Sequence, residues 1–183
     1  MLYPVISVLG DMWQWKSHNL TADLCKSMGT IIAAGQHPLF TKAKYVCVND
    51  SQQLDFLVKN RNKKQTILAP RDRYAKYVFH EGIECLPFFE DLAPYNFDPS
   101  SSSQQILCMA MACWIGTPVV SMFDFYLEKK EHVHIRAIMK VYSTTQFFFV
   151  NTKVGNTIGV FKDSPNFKQI SQKELLEFGR KHA

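Results

Sequence analysis

The sequence has no C-x-x-C pair, no G-x-G-x-x-G fingerprint and no uninterrupted apolar run long enough to span a bilayer. Its five cysteines (Cys25, Cys47, Cys85, Cys108 and Cys113) are odd in number. Cys47, Cys85 and Cys108 sit inside apolar runs, where a thiol behaves as a small hydrophobe. Neither a disulfide framework nor a zinc site follows from that spacing. The longest apolar run, Ile106 to Val120, is interrupted by Gly116 and Pro118. The opening Met1-Leu2-Tyr3-Pro4-Val5 lacks the basic region and apolar stretch of a secretory leader. These absences together predict a chain without a membrane span, in the reducing cytoplasm.

What is present is ordinary for a globular protein. Apolar residues make up 46% of the 183 and charged residues 20%. A chain of this length suits one domain, which can bury a core without staples. The net charge of +5 is unevenly spread. Lys59, Arg61, Lys63, Lys64, Arg71, Arg73 and Lys76 share their segment with Asp72 as its one acid, so that segment accounts for the whole excess. It reads either as a solvated connection and helix face or as a patch that attracts phosphates.

Apolar runs and turn residues alternate along the chain. Tyr3–Leu9, Thr30–Ala33, Tyr45–Val48, Thr66–Leu68, Glu84–Pro87, Pro118–Met122 and Phe147–Asn151 read as short strands. Asn19–Met28, a segment opening at Ser51, Arg71–Phe79, Ser103–Ile115, His132–Val141 and Gln172–Lys181 read as helices. Ser51 caps the second of these, and Ser103–Ile115 is apolar all round, as in a buried helix. Pro87 to Ser103 forms the longest irregular loop. Strands separated by helices predict an α/β, Rossmann-like three-layer fold: one domain over residues 1–183, with a mostly parallel sheet of about six strands.

In such a sheet, ligands bind beyond the carboxyl ends of the strands. Four segments fall there. Gly10-Asp11-Met12-Trp13 follows the first strand, as an ordinary turn or as a close backbone approach to a ligand. Trp13 and Trp15 nearby either stack on a base or pack. Asn49 and Asp50 either hydrogen-bond a ribose or base or cap the next helix. Ser101, Ser102 and Ser103 precede the buried helix, whose amino end attracts phosphate or carboxylate; a flexible loop with an N-cap is the plainer reading. Asp124, with Tyr126 beside it, closes the strongest strand. His132 and His134 follow on a helix, where a spacing of two does not suit a shared metal, so general acid–base work is their expected chemistry.

The segment Ser101-Ser-Ser-Gln-Gln-Ile-Leu-Cys-Met-Ala-Met-Ala-Cys-Trp-Ile-Gly116, followed by Thr117-Pro-Val-Val-Ser-Met-Phe-Asp124-Phe-Tyr126, resembles a motif of bacterial sialyltransferases that use CMP-sialic acid. It is similar also to the motility accessory factor-like proteins and to phage proteins labelled as lipopolysaccharide-synthesis enzymes. Val5-Ile-Ser-Val-Leu-Gly10 resembles their first strand, and Asn49 their polar residue after a middle strand. Asp11-Met12 stands where those families have Asn and a second Gly, and Gln104 where a small residue is usual. A second likeness, Ala110 to Val120, is to the nucleotide-sugar halves of two-domain glycosyltransferases.

The resemblance implies a transferase with a CMP- or UDP-linked sugar as donor, a glycan hydroxyl as acceptor, and no tightly bound cofactor or metal. Gly10, Asp11, Asn49, Asp50 and Ser101–Ser103 are then the nucleotide site. Asp124 holds ribose or sugar, Tyr126 stabilises the departing phosphate, and His132 or His134 takes the acceptor proton. The departures at Asp11 and Gln104 motivate an alternative, a non-catalytic binding or host-interaction protein of the same fold. Nucleic-acid binding through Lys59–Lys76 is a third reading, though no aromatics interleave that patch in a known module.

Overall fold

The computed structural model describes residues 5–10, 28–35, 42–60, 62–123, 125, 128–150 and 161–182. The expectations for Asp11, Trp13, Trp15, Asp124 and Tyr126, and for nearly all of the Asn19–Met28 helix, lie outside the described residues.

Eight strands are described: β1 (Ile6–Leu9), β2 (Thr30–Ala34), β3 (Tyr45–Cys47), β4 (Thr66–Ala69), β5 (Ile83–Cys85), β6 (Val119–Phe123), β7 (Gln146–Val150) and β8 (Phe167–Ile170). Parallel ladders join them as β2-β3-β4-β5 and as β1-β6-β7-β8. β1 lies beside β2, bridged at Ile6 and Gly29, so the order is β5-β4-β3-β2-β1-β6-β7-β8 in one mostly parallel sheet. Gly29 carries φ +62°, and a Cβ there would stand 2.4 Å from the Val5 carbonyl oxygen. Only glycine allows so close an approach.

Seven of the strands fall where the apolar runs predicted them. The eighth, β8, escapes sequence reading because it is an edge strand whose two middle residues, Lys168 and Gln169, face solvent. Without alternation or an apolar run, the period-2 signal is lost.

The helices are α1 (Ser51–Asn60), α2 (Arg71–Tyr74), α3 (Gln104–Trp114), α4 (His132–Val141) and α5 (Gln172–His182). α2 is far shorter than the Arg71–Phe79 expectation; it tightens into a 3-10 turn over Ala75–Tyr77 and stops. Val78 and Phe79 are exposed, so no continuous apolar face holds a longer helix in place. Of the two expected caps of α1, Ser51 and the Asn49-Asp50 pair, the second holds. Asp50, not Ser51, accepts the Gln53 N–H on its carboxylate at 2.8 Å.

The central strands present alternate residues to two apolar layers. Ile6, Val8, Ile32, Cys47, Val120, Met122, Phe147 and Phe149 pack with α3 and α4. Val5, Leu9, Ile31, Val46, Val48, Phe123, Phe148 and Val150 pack with Leu54 and Leu57 of α1 and Leu175 of α5. That is a three-layer arrangement with cores on both faces of the sheet. α3 is buried from Gln104 to Cys113, as its apolar run predicts, with Trp114 exposed at its end, and Gly116 follows with φ 85°.

The order of strands reverses between β1 and β6: everything up to β5 lies to one side, and β6 to β8 to the other. The crossover through α3 therefore spans the centre of the sheet. Its amino end comes to the carboxyl ends of β2 and β3, where ligand sites form in folds of this kind. No helix of the described residues is long and apolar enough to cross a membrane.

Candidate functional site

Beyond the carboxyl end of β3, the side-chain amide of Asn49 donates to the Ser102 carbonyl. This bond spans 53 residues of sequence and fixes the serine loop over the sheet edge. The loop is shaped by Asp98, whose carboxylate accepts the Ser100 N–H at 3.0 Å and whose carbonyl accepts both the Ser102 N–H (3.0 Å) and the Ser102 hydroxyl (2.8 Å). Ser102 is thereby buried and satisfied. From there the chain enters α3.

Ser103 occupies the N-cap position with extended backbone, φ −65° and ψ 155°, yet its hydroxyl makes no capping bond. Its Oγ is shielded from solvent and has no partner among the described residues. Its carbonyl does accept the Leu107 N–H, at 3.0 Å, so the helix starts normally. An N-cap serine ordinarily spends its oxygen on the first turn. Here that oxygen is unspent, beside a positive helix end.

Asn49, Ser101, Ser102 and Ser103 line a cleft of about 280 Å³ together with Ile106, Lys130, Glu131 and His134. Three separately predicted features meet there: the polar end of a middle strand, the serine helix start, and one of two histidines. His134 is half-buried, its ring 5.6 Å from that of Phe97. His132 does not line the cleft. Its ring meets the edge of Phe161 at 5.4 Å, and its Nε2 is buried without a partner among the described residues. Two residues along a helix turn through roughly 200°, which places the two histidines on different sides of α4.

Lys130 and Glu131 are site residues that the sequence reading missed. Glu131 is buried, its carboxylate accepting the Gln105 amide at 3.1 Å and the Glu128 N–H at 2.9 Å. The latter bond belongs to a capping box between Glu128 and Glu131. The spacing of two glutamates before an amphipathic helix was the available signal. Lys130 Nζ lies 2.8 Å from Glu128, holding a positive charge at the rim.

Gly10 stands elsewhere on the same sheet edge, its N–H donating to the Phe123 carbonyl at 2.8 Å and so tying the ends of β1 and β6 together at the switch in strand order. Asp50 is exposed, and its carboxylate is engaged by α1. Gln104 does not line the cleft; it turns to the sheet, accepting the Gly35 N–H at 2.9 Å and donating to Gln53. A glutamine at this position is therefore a tie between α3, β2 and α1.

No family model, curated protein or solved structure matches this chain.

The basic segment is not one patch. Lys59, Lys63 and Lys64 lie around the amino end of β4, while Arg71 and Arg73 follow its carboxyl end. Lys76 is paired with Asp55 at 3.0 Å and Arg73 with Asp72 at 3.5 Å. Among the described residues, no group of three or more His, Cys, Asp or Glu side chains comes together as a metal cage would.

Proposed function

We propose that this chain is a nucleotide-sugar-dependent glycosyltransferase of the sialyltransferase-like kind, with its donor in the cleft at the amino end of α3. One observation carries the reading: Ser103 caps nothing, and its shielded hydroxyl lies in a cleft with Asn49, Lys130 and His134. The first turn of α3 supplies positive potential for a phosphate, and Ser103 supplies a hydroxyl donor. Asn49 spends its amide nitrogen on Ser102, which leaves its oxygen for a base or ribose hydroxyl.

In the transfer, the bond between the sugar's anomeric carbon and the nucleotide phosphate oxygen breaks, and its electron pair leaves with the phosphate. The acceptor oxygen forms the new bond to that carbon, and its proton passes to the imidazole of His134. Asp124 and Tyr126 keep the roles that the resemblance gives them: holding ribose or sugar, and hydrogen-bonding the departing phosphate. No tightly bound cofactor is part of this scheme.

Release of CMP or UDP from a matched sugar donor, followed by mass spectrometry, tests the scheme. His134→Ala is expected to lower transfer by on the order of 10²–10⁴-fold, the usual contribution of a general base, while His132→Ala leaves the rate within a few-fold. Equal losses for the two variants contradict the assignment. Nucleotide binding without any transfer favours the alternative, a non-catalytic binding protein on the same fold.

A further inference from the structure

A second cavity, of about 490 Å³, opens on the other side of the serine loop, above the ends of β4 and β5. Pro70, Leu86 and Pro87 form apolar walls, Phe88 stands at the rim, and Arg71 and Asp98 supply the charge. Phe88 is 74% exposed, so its ring face is open to a ligand. The walls are preformed. The Leu86 N–H donates to the Ala69 carbonyl at 2.8 Å, locking the two strand ends, and the Ser100 hydroxyl donates to Asp72 at 2.9 Å, clasping the loop to α2.

The polar groups are available in complementary pairs. Arg71 has no salt-bridge partner among the described residues. Asp98 uses one carboxylate oxygen on the Ser100 N–H and leaves the other. A planar apolar platform beside one fork of donors and one acceptor suits a ligand with an apolar face and a ring of hydroxyls. A pyranose has that surface: axial C–H groups for the ring, and equatorial hydroxyls for guanidinium and carboxylate. A purely apolar ligand is disfavoured by both charges.

We infer that this cavity is a saccharide subsite, with a pyranose ring seated on Phe88 and its hydroxyls held between Arg71 and Asp98. It rests on the proposed transferase reading for its role, which is to hold the body of the acceptor glycan. The Asp98–Ser103 loop is the shared wall of both cavities: Asp98 and Ser100 face this one, and Ser101 to Ser103 face the donor cleft.

Saturation-transfer NMR on the full chain, with lactose and N-acetylglucosamine as probes, tests the subsite. Transfer to at least one probe is expected, with affinity weakened about tenfold or more by Phe88→Ala and by Arg71→Ala. Both side chains are exposed, so the far-ultraviolet spectrum of each variant should match that of the parent. No transfer to either sugar, or transfer that survives both substitutions, overturns the subsite. CMP and UDP titrated into the same samples separate the two ideas. Nucleotide bound without saccharide leaves the donor cleft standing and removes this inference; saccharide bound without nucleotide keeps the subsite and removes the transferase reading.

Discussion

At the scale of single residues, the telling groups are those whose hydrogen-bonding capacity is not used up by the fold. Asp50 and Ser102 both sit where a ligand was expected, and both are spent on structure, one on α1 and the other on Asp98. Ser103 is the reverse: a residue whose position announces a cap and whose hydroxyl does no capping. Sequence shows a serine before an apolar helix in either case. The difference lies in the hydroxyls: that of Ser102 turns back to the Asp98 carbonyl, and that of Ser103 meets no partner among the described residues. The two histidines were likewise equivalent in sequence, and the turn of α4 separates them.

Tyr142, at the end of α4, gives a pH-dependent test of this packing. Burial, reinforced by the nearby Cys113 and Asp91, pushes its hydroxyl from 10.0 up to about 12. The folded chain thus holds that proton more tightly than the unfolded chain. The stabilisation is fully present below pH 10 and is lost as the pH rises towards 12, because the unfolded tyrosine ionises first. Ultraviolet phenolate titration should show a late-titrating component that is absent in Tyr142→Phe. If the variant keeps the same late component, Tyr142 is not its source.

At the scale of elements, α3 was the most legible part of the chain and β8 the least. Ile106 to Cys113 is apolar on every face, which fits only a helix sandwiched between layers, and the structure buries it over β1, β2, β3 and β6. β8 is held from its flank: the Asn166 amide donates to the carbonyls of Met139 (3.0 Å), Tyr142 (3.3 Å) and Thr145 (3.1 Å). One buried side chain therefore satisfies the carboxyl end of α4 and anchors the edge strand. An asparagine in a polar stretch signals none of this beforehand. Asn166→Ala should cost about 1–3 kcal/mol, the penalty for leaving buried carbonyls unpaired, measured as a lower midpoint in urea. A midpoint unchanged from the parent would show that water replaces those bonds.

At the scale of the whole molecule, alternation of strand and helix made the layered α/β architecture readable, because each βαβ unit leaves its own local pattern. The order of strands did not follow from that pattern. The reversal between β1 and β6 depends on which face each connection crosses, and it is this reversal that brings the amino end of α3 over the sheet edge. The charge distribution likewise changes meaning at this scale: the described cations of the basic segment divide between opposite ends of β4, and among them only Arg71 lines either cavity.

A donor site at α3 requires that the cleft accept a nucleotide phosphate, and titration calorimetry with CMP and with UDP measures that directly. Binding of at least one nucleotide is expected, weakened roughly tenfold in Ser103→Ala by loss of a phosphate hydrogen bond and unaffected in Ser100→Ala, whose hydroxyl faces Asp72. No heat with either nucleotide, or equal affinity in the parent and Ser103→Ala, would contradict it.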